Sequence, residues 1–247
     1  MPRIASHNVF WFQGRPFAPD SPGAPEPRIL GALAALHRGL GADLLCLQEI
    51  QNETAFRQAA DALGMDGAYS PGGAMPQYGA GSFWRSGRLL ADSGGAAVRP
   101  QRVWQLLEIP AGAGRLAVAN CHLPSSRHIP EEEAAGRRIS ELETVLAGAR
   151  RPDVILGDFN EQPGGGLGRF LAGSGYLDAA VVTGRQQLGT TPGNNRGDQI
   201  WVRRELAAAV TGYDVIPEPE MRAALPGKQH LSDHFPLWVD IAPGGPA

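Results

Sequence analysis

The sequence predicts an α/β domain built on mixed sheets, and three observations carry that reading. Two stretches run strand, amphipathic helix, strand: residues 3–9, 28–40 and 43–49, then 115–123, 130–149 and the strand that begins at Val154. Several other strands follow one another directly, without the helical crossover that parallel neighbours need. No linker, fixed-period repeat or low-complexity tract divides the 247 residues. Mixed sheets therefore fit better than a doubly wound parallel one, in one domain over residues 1–241 with a tail at 242–247.

Taken in order, Arg3 to Val9 reads as a first strand. Residues 13–28 are rich in Pro and Gly and form a loop. Ile29, Leu30, Leu33, Leu36 and Leu40 recur at helical spacing, and Gly41 fits the C-cap of their helix. Asp43 to Glu49 is an apolar strand with polar residues at its end. Glu53 to Leu63 is a second helix, stopped near Gly64, and residues 64–79 read as a loop. Strands follow at Gly81–Arg85, Val98–Ile109 and Arg115–Leu123. Pro130 to Ala149 is a long charged helix with Ile139, Leu142, Val145 and Leu146 on its inner face. Val154-Ile155-Leu156 is a short buried strand, Leu167–Leu171 a short helix and Tyr176–Val182 a connection. Gln199–Val202, Thr211–Val215 and Phe235–Ile241 are the closing strands.

Composition narrows the function. The net charge is −3, so the chain lacks the global basic field of a general DNA binder. Lys228 is the only lysine. Cys46 and Cys121 lie inside apolar runs and read as buried free thiols rather than a disulfide or metal pair. No apolar run approaches the length of a membrane span, and Ser6-His7-Asn8 interrupts the N-terminus too early for a signal peptide. A cytoplasmic location is expected. Nothing in the sequence sets the oligomeric state.

Polar residues avoid core strands unless they are paired or functional. Here they gather at strand ends: Asn8, Gln48-Glu49, Asn120 with His122, Asp158 with Asn160, Asp198, and Ser232-Asp233-His234. Asp158 and Asn160 sit two apart, so in extended backbone they leave on one face. Taken alone, the pair also fits a strand end followed by an Asx turn. Six such ends point to one shared site.

These pieces occur as Ser6-His7-Asn8-Val9, Leu47-Gln48-Glu49, Asn120-Cys121-His122-Leu123, Gly157-Asp158-Phe159-Asn160, Asp198-Gln199-Ile200 and Ser232-Asp233-His234. In type and order the sequence resembles the endonuclease/exonuclease/phosphatase superfamily, Mg2+-dependent phosphoesterases with a DNase I-like fold. The resemblance implies a four-layer α/β sandwich, two mixed sheets face to face with helices outside. It implies Glu49 as the main Mg2+ ligand, Asn8 nearby and Asp233 in reach through water, with Mn2+ able to substitute. Asp158 would orient and deprotonate the attacking water, and Asn160 would hold that water or a phosphate oxygen. His234 would contact the phosphoryl oxygen with Asp198 fixing its tautomer. His122 would contact the phosphate from the other side or assist the leaving group.

Several residues depart from the family's branches. Gln199 stands where an aromatic residue is common, and Asn195-Arg196-Gly197-Asp198-Gln199 lacks the Pro-x-Trp-x-Asp-Arg stretch of inositol-phosphate 5-phosphatases. Phe10 replaces the acid of abasic-site endonucleases, which argues against abasic DNA repair. Trp11 is a candidate pocket wall, Arg127 and His128 could bind a second phosphate, and Lys228 could reach the substrate. The expected partner is a compact phosphomonoester or phosphodiester. DNA or RNA is the alternative and needs a basic groove, with Arg85, Arg88, Arg127 and Arg196 as its candidates. A non-catalytic binding member is the third reading.

Overall fold

The computed structural model describes residues 1–242; of the expected tail, residues 243–247 lie outside the described residues. The chain forms β1 (Arg3–Asn8), α1 (Pro27–Leu40), β2 (Leu44–Ile50), α2 (Glu53–Leu63), β3 (Asp66–Ser70), β4 (Gly79–Trp84), β5 (Arg88–Asp92), β6 (Val103–Ala111) and β7 (Gly114–His122). It continues through α3 (Glu131–Leu146), β8 (Val154–Asp158), α4 (Gly166–Gly173), β9 (Tyr176–Asp178), α5 (Ala179–Val182), β10 (Asp198–Arg203), β11 (Val210–Val215) and β12 (Leu237–Ile241). Two six-stranded sheets result, in the orders β11-β12-β1-β2-β4-β3 and β5-β6-β7-β8-β10-β9.

Each sheet has one parallel pair, β1 with β2 and β7 with β8, and all its other pairs are antiparallel. The crossovers are α1 and α3, as a parallel pair demands. The two β-helix-β stretches are thus equivalent units at the centres of facing sheets. Their four strands end at Asn8, Ile50, His122 and Asp158. This internal equivalence is invisible in the sequence.

Period-two alternation builds the layers. On β8, Val154 and Leu156 face the central core shared with Ile4, Leu44 and Cys46, whereas Ile155 faces outward under Leu142, Val145, Leu167 and Leu171 of α3 and α4. Ile29, Leu33 and Ala55 bring α1 and α2 onto the other sheet. The helix ends follow local chemistry. Asn52 caps α2 by accepting from Ala55 N at 2.9 Å, and Gly41 and Gly64 close α1 and α2 in the left-handed conformation.

The two sheets are also joined by polar struts. Gln48 Nε2 donates to Asn120 Oδ1 at 2.7 Å, Asn120 Nδ2 to Ser82 Oγ at 3.0 Å, and Ser82 Oγ to Gln105 Oε1 at 2.7 Å. All four residues are fully buried. Gln48 and Asn120 therefore belong to the interior of the sandwich and not to the cluster at its end.

Some boundaries differ from expectation. The expected loop at 64–79 contains β3, an edge strand of small and polar residues ordered by pairing with β4. β5 is a second short edge strand. The strand expected from Val98 starts at Val103; residues 100–102 instead pair with a neighbouring loop, Gly73, Ala74 and Met75 donating to the carbonyls of Arg102, Pro100 and Gln101. No helix among the described residues is long and apolar enough to cross a membrane.

Candidate active site

The strand ends converge on Asp158, which is 3% exposed. Gly157 makes that position reachable. Its φ is +131°, and a Cβ there would lie 1.9 Å from the Cys121 carbonyl oxygen, so only glycine lets β8 pass so close to β7. Asp158 Oδ1 accepts from Asn160 N at 2.9 Å, which is the Asx turn. Its Oδ2 accepts from Asn8 Nδ2 at 3.0 Å and lies 3.4 Å from His122 Nε2 and 3.9 Å from His234 Nε2. The local turn and the shared cluster thus use different oxygens of one carboxylate.

Backbone strain marks the same place. Glu49 has φ 59° at a bulge where β2 slips register against β4, and Asn160 has φ 51°. Left-handed backbone at non-glycine residues is uncommon and concentrates at functional sites. Phe10, Trp11 and Phe12, with φ of 48°, 53° and 56°, form a left-handed turn just after β1. That turn brings Phe10 N onto Asn8 Oδ1 at 3.1 Å. The donor end of the Asn8 amide then faces the two carboxylates, Glu49 Oε1 at 3.1 Å and Asp158 Oδ2 at 3.0 Å. Asn8, expected near the metal, thus has its oxygen on the backbone and its amide nitrogen between the two carboxylates.

Asp198 and His234 sit side by side, His234 Nδ1 2.7 Å from Asp198 Oδ2. Asp198 begins β10 and is fully buried. Burial alone would lower the His234 pKa, but the carboxylates of Asp198, Asp233 and Asp158 raise it well above the ordinary value. These carboxylates favour the charged form of His234. Ser232 holds its segment to β1, donating to Asn8 O at 2.7 Å and accepting from His234 N at 3.2 Å. The neighbouring His7 and His37 are 2.9 Å apart; burial drives both toward the neutral form, and His37 is a structural partner.

His122, fully buried, is held neutral by burial and by the Arg102 cation beside it. Arg102 was not among the expected site residues. It is 3% exposed, contacts His122 Nε2, and lies 4.4 Å from the Tyr78 ring centroid, with its Nε buried and unpartnered. The sequence hides it because it seemed to lie inside a strand, whereas it sits in the bend before β6. A buried arginine next to several carboxylates is the signal that only the fold exposes.

Among the described residues four buried carboxylate oxygens have no hydrogen-bond partner: Glu141 Oε2 on α3, and Glu49 Oε2, Asp198 Oδ1 and Asp233 Oδ1 at the strand ends. Burial raises the Glu49 pKa to about 7, Asp233 adds to it, and Arg102 opposes it. One atom each of Asp158, Asp198 and His234 also lie within 4.8 Å of one another, close enough to hold a cation. Hard oxygen donors left without hydrogen-bond partners fit a divalent cation.

The remaining expected residues divide. His128 lies at the rim, its Nε2 3.2 Å from Tyr78 OH, and exposed Arg127 stands beside Asp20. Trp11 is 1% exposed and donates Nε1 to Gln77 O at 2.7 Å, so it packs behind Tyr78 and presents no wall to a substrate. Lys228 donates Nζ to Gly14 O and Pro16 O at 3.1 and 2.8 Å, tying down the 13–17 segment rather than reaching the cluster. The basic groove is also interrupted. Arg88 pairs with Glu108 at 2.9 Å, Arg196 with Asp178 at 2.9 Å, and Arg85 lies 3.9 Å from Asp43. A hollow of about 770 Å3 lined by His37, Phe56, Met65 and Trp84 shares no residue with the strand-end cluster.

Two mixed sheets packed face to face thus bring carboxylates, amides and histidines together at one end of a sandwich. The chain belongs to the Endonuclease/Exonuclease/phosphatase family, whose model matches residues 5–234. Members of that family are hydrolases acting on phosphoester bonds. No curated protein sequence matches the chain. Solved structures share the fold at low identity. Mannosyl-6-phosphatase Bt3783 of Bacteroides thetaiotaomicron superposes with a TM-score of 0.67 at 18% identity, covering 98% of this chain and 100% of the other. The human nocturnin catalytic domain with bound sulfate gives 0.63 at 18%, covering 98% and 94%. Humanized TDP2 of D. rerio gives 0.63 at 18%, covering 96% and 97%.

Proposed function

We propose that this chain is a Mg2+-dependent phosphoesterase that hydrolyses a compact phosphomonoester or phosphodiester by in-line attack of water. The observation that carries the reading is the double engagement of Asp158. One oxygen is fixed by the Asn160 backbone, and the other faces Asn8, His122 and His234 within 3.9 Å. A carboxylate oriented from both sides suits a general base for water.

Glu49, with Asp233, would hold the cation, and Mn2+ could replace Mg2+. Such a cation supplies Lewis-acid polarisation of a phosphoryl oxygen. Asp158 accepts the proton of the attacking water. Asn160 completes the orientation of Asp158 and remains the candidate contact for water or a phosphate oxygen. The His234 imidazolium, held by Asp198, offers its other N–H to a non-bridging oxygen as charge develops there. Arg102 supplies a permanent positive charge on the opposite wall, beside a neutral His122. A water nucleophile needs no covalent enzyme intermediate.

A duplex substrate is disfavoured by the paired state of Arg88 and Arg196 and by the net charge of −3. A protein that tracks DNA neutralises several phosphates and loses affinity steeply with salt. The test compares kcat/KM on small phosphoesters, single-stranded oligonucleotides and plasmid at low and moderate salt. The reading expects turnover of a small ester with weak salt dependence. Efficient plasmid nicking at physiological salt, with every small ester inert, would replace it with a nuclease.

A further inference from the structure

The loop between β1 and α1 carries an acidic residue into a cluster of donors. Asp20 Oδ1 accepts from Tyr78 OH at 3.2 Å and lies 4.0 Å from Arg127 Nη1. His128 Nε2 is 3.2 Å from the same hydroxyl. Tyr78 is 1% exposed, and its ring lies edge-on to His122 at 5.9 Å between centroids, with the Arg102 guanidinium over its face. A continuous strip of donors therefore leads from the reacting centre to the rim. Its outer end is filled by a carboxylate of the chain itself.

The way the loop is tied supports a removable plug. Its first part is fixed by Lys228 on Gly14 O and Pro16 O, and by Phe17 packed edge-on against Phe10. Its last part is fixed by Gln51 Nε2 on Gly23 O at 3.0 Å and Gln13 Nε2 on Ala24 O at 2.8 Å. Between these anchors, Ala18 to Ser21 are exposed. Beyond the Asp20 side chain, Gln77 Nε2 on Asp20 O at 3.3 Å holds this stretch down. On the donor side the backbone is tied as well. Ser125 Oγ accepts from Arg127 N at 3.2 Å, and Ser125 N donates to Gln101 Oε1 at 3.0 Å.

We propose that Tyr78, Arg127 and His128 form a second anion subsite, that Asp20 fills it in the free protein, and that the substrate is a phosphoester carrying a second phosphate which displaces Asp20. An arginine fork, a phenol and an imidazole match a phosphate with three oxygens better than one carboxylate oxygen. The substrate side of this inference rests on the proposed phosphoesterase reading; the subsite itself does not.

The test is calorimetric binding of inorganic phosphate and of pyrophosphate at fixed free Mg2+, read as the ratio of their affinities. Asp20→Ala, which removes the competing carboxylate, should raise the pyrophosphate preference by about fivefold or more, or roughly 1 kcal/mol. Arg127→Ala and Tyr78→Phe should lower it by a similar factor. Tyr78→Phe keeps the buried ring, so folding does not confound it. A ratio unmoved by Asp20→Ala and Arg127→Ala would make Asp20 a loop tether only and overturn the proposal. If the ratio moves as expected but no phosphoester of any class is hydrolysed, the subsite stands and the phosphoesterase reading falls.

Discussion

His234 Nδ1 lies 2.7 Å from Asp198 Oδ2, and Asp198 is fully buried. The pair joins the segment before β12 to the first residue of β10 and sets the protonation state of the histidine that faces Asp158. Burial opposes the charge on His234, and three carboxylates outweigh it. A raised pKa means that the charged form, and the stability it contributes, is fully present below the free histidine range. Both are lost as pH rises through the raised value.

Asp198→Asn should therefore shift the alkaline limb of the pH–rate profile to lower pH by about one unit or more, since the nearest opposing charge is gone. The profile of kcat, with the His234 ring titration followed by NMR, checks this. An unmoved limb in a folded variant would leave Asp198 a purely structural residue.

Glu49→Gln keeps the shape of the side chain and removes its charge. Metal affinity should fall by about 10- to 100-fold. Because burial raises Glu49 to about 7, a proton competes with the cation near neutrality in the parent protein. Mg2+ affinity should thus weaken as pH drops below about 7, and the variant should lose most of that dependence. Titration of Mg2+ by calorimetry at several pH values measures both effects. Unchanged affinity in the variant would remove Glu49 from the metal site.

The strut between the sheets predicts a stability effect without a catalytic one. Asn120→Ala removes the cross-sheet acceptor of Gln48 Nε2, which keeps Ser6 Oγ and Cys46 O, and leaves Ser82 Oγ without its donor. A buried polar group deprived of its partner costs about 1–3 kcal/mol. Urea unfolding should show that loss, while kcat in the folded variant stays near the parent value. A large fall in kcat at full folding would place Asn120 in the reacting centre after all.

The parts legible in the sequence are those that depend on local pattern. Short apolar runs exposed β2, β7 and β8, helical spacing exposed α1 and α3, and Gly41 and Gly64 marked where two of the helices stop. Residue type and order were enough to single out Glu49, His122, Asp158, Asp198 and His234, because polar side chains at the ends of apolar strands are conspicuous. What stayed hidden depends on partners distant in the chain. β3 and β5 are held by pairing rather than composition. Arg102 looks like one alternating position of a strand until the bend before β6 turns it toward His122. Trp11 and Lys228 are of suitable residue type, but a left-handed turn buries one and two backbone carbonyls engage the other.

The central claim is that Asp158 directs water onto phosphorus. Turnover of the best phosphoester substrate in heavy-oxygen water measures this directly. The account predicts one labelled oxygen in the phosphate product per turnover, and a fall in kcat of about a hundredfold or more for a folded Asp158→Asn variant. Label appearing in the alcohol product, or Asp158→Asn turning over at the parent rate, would contradict it.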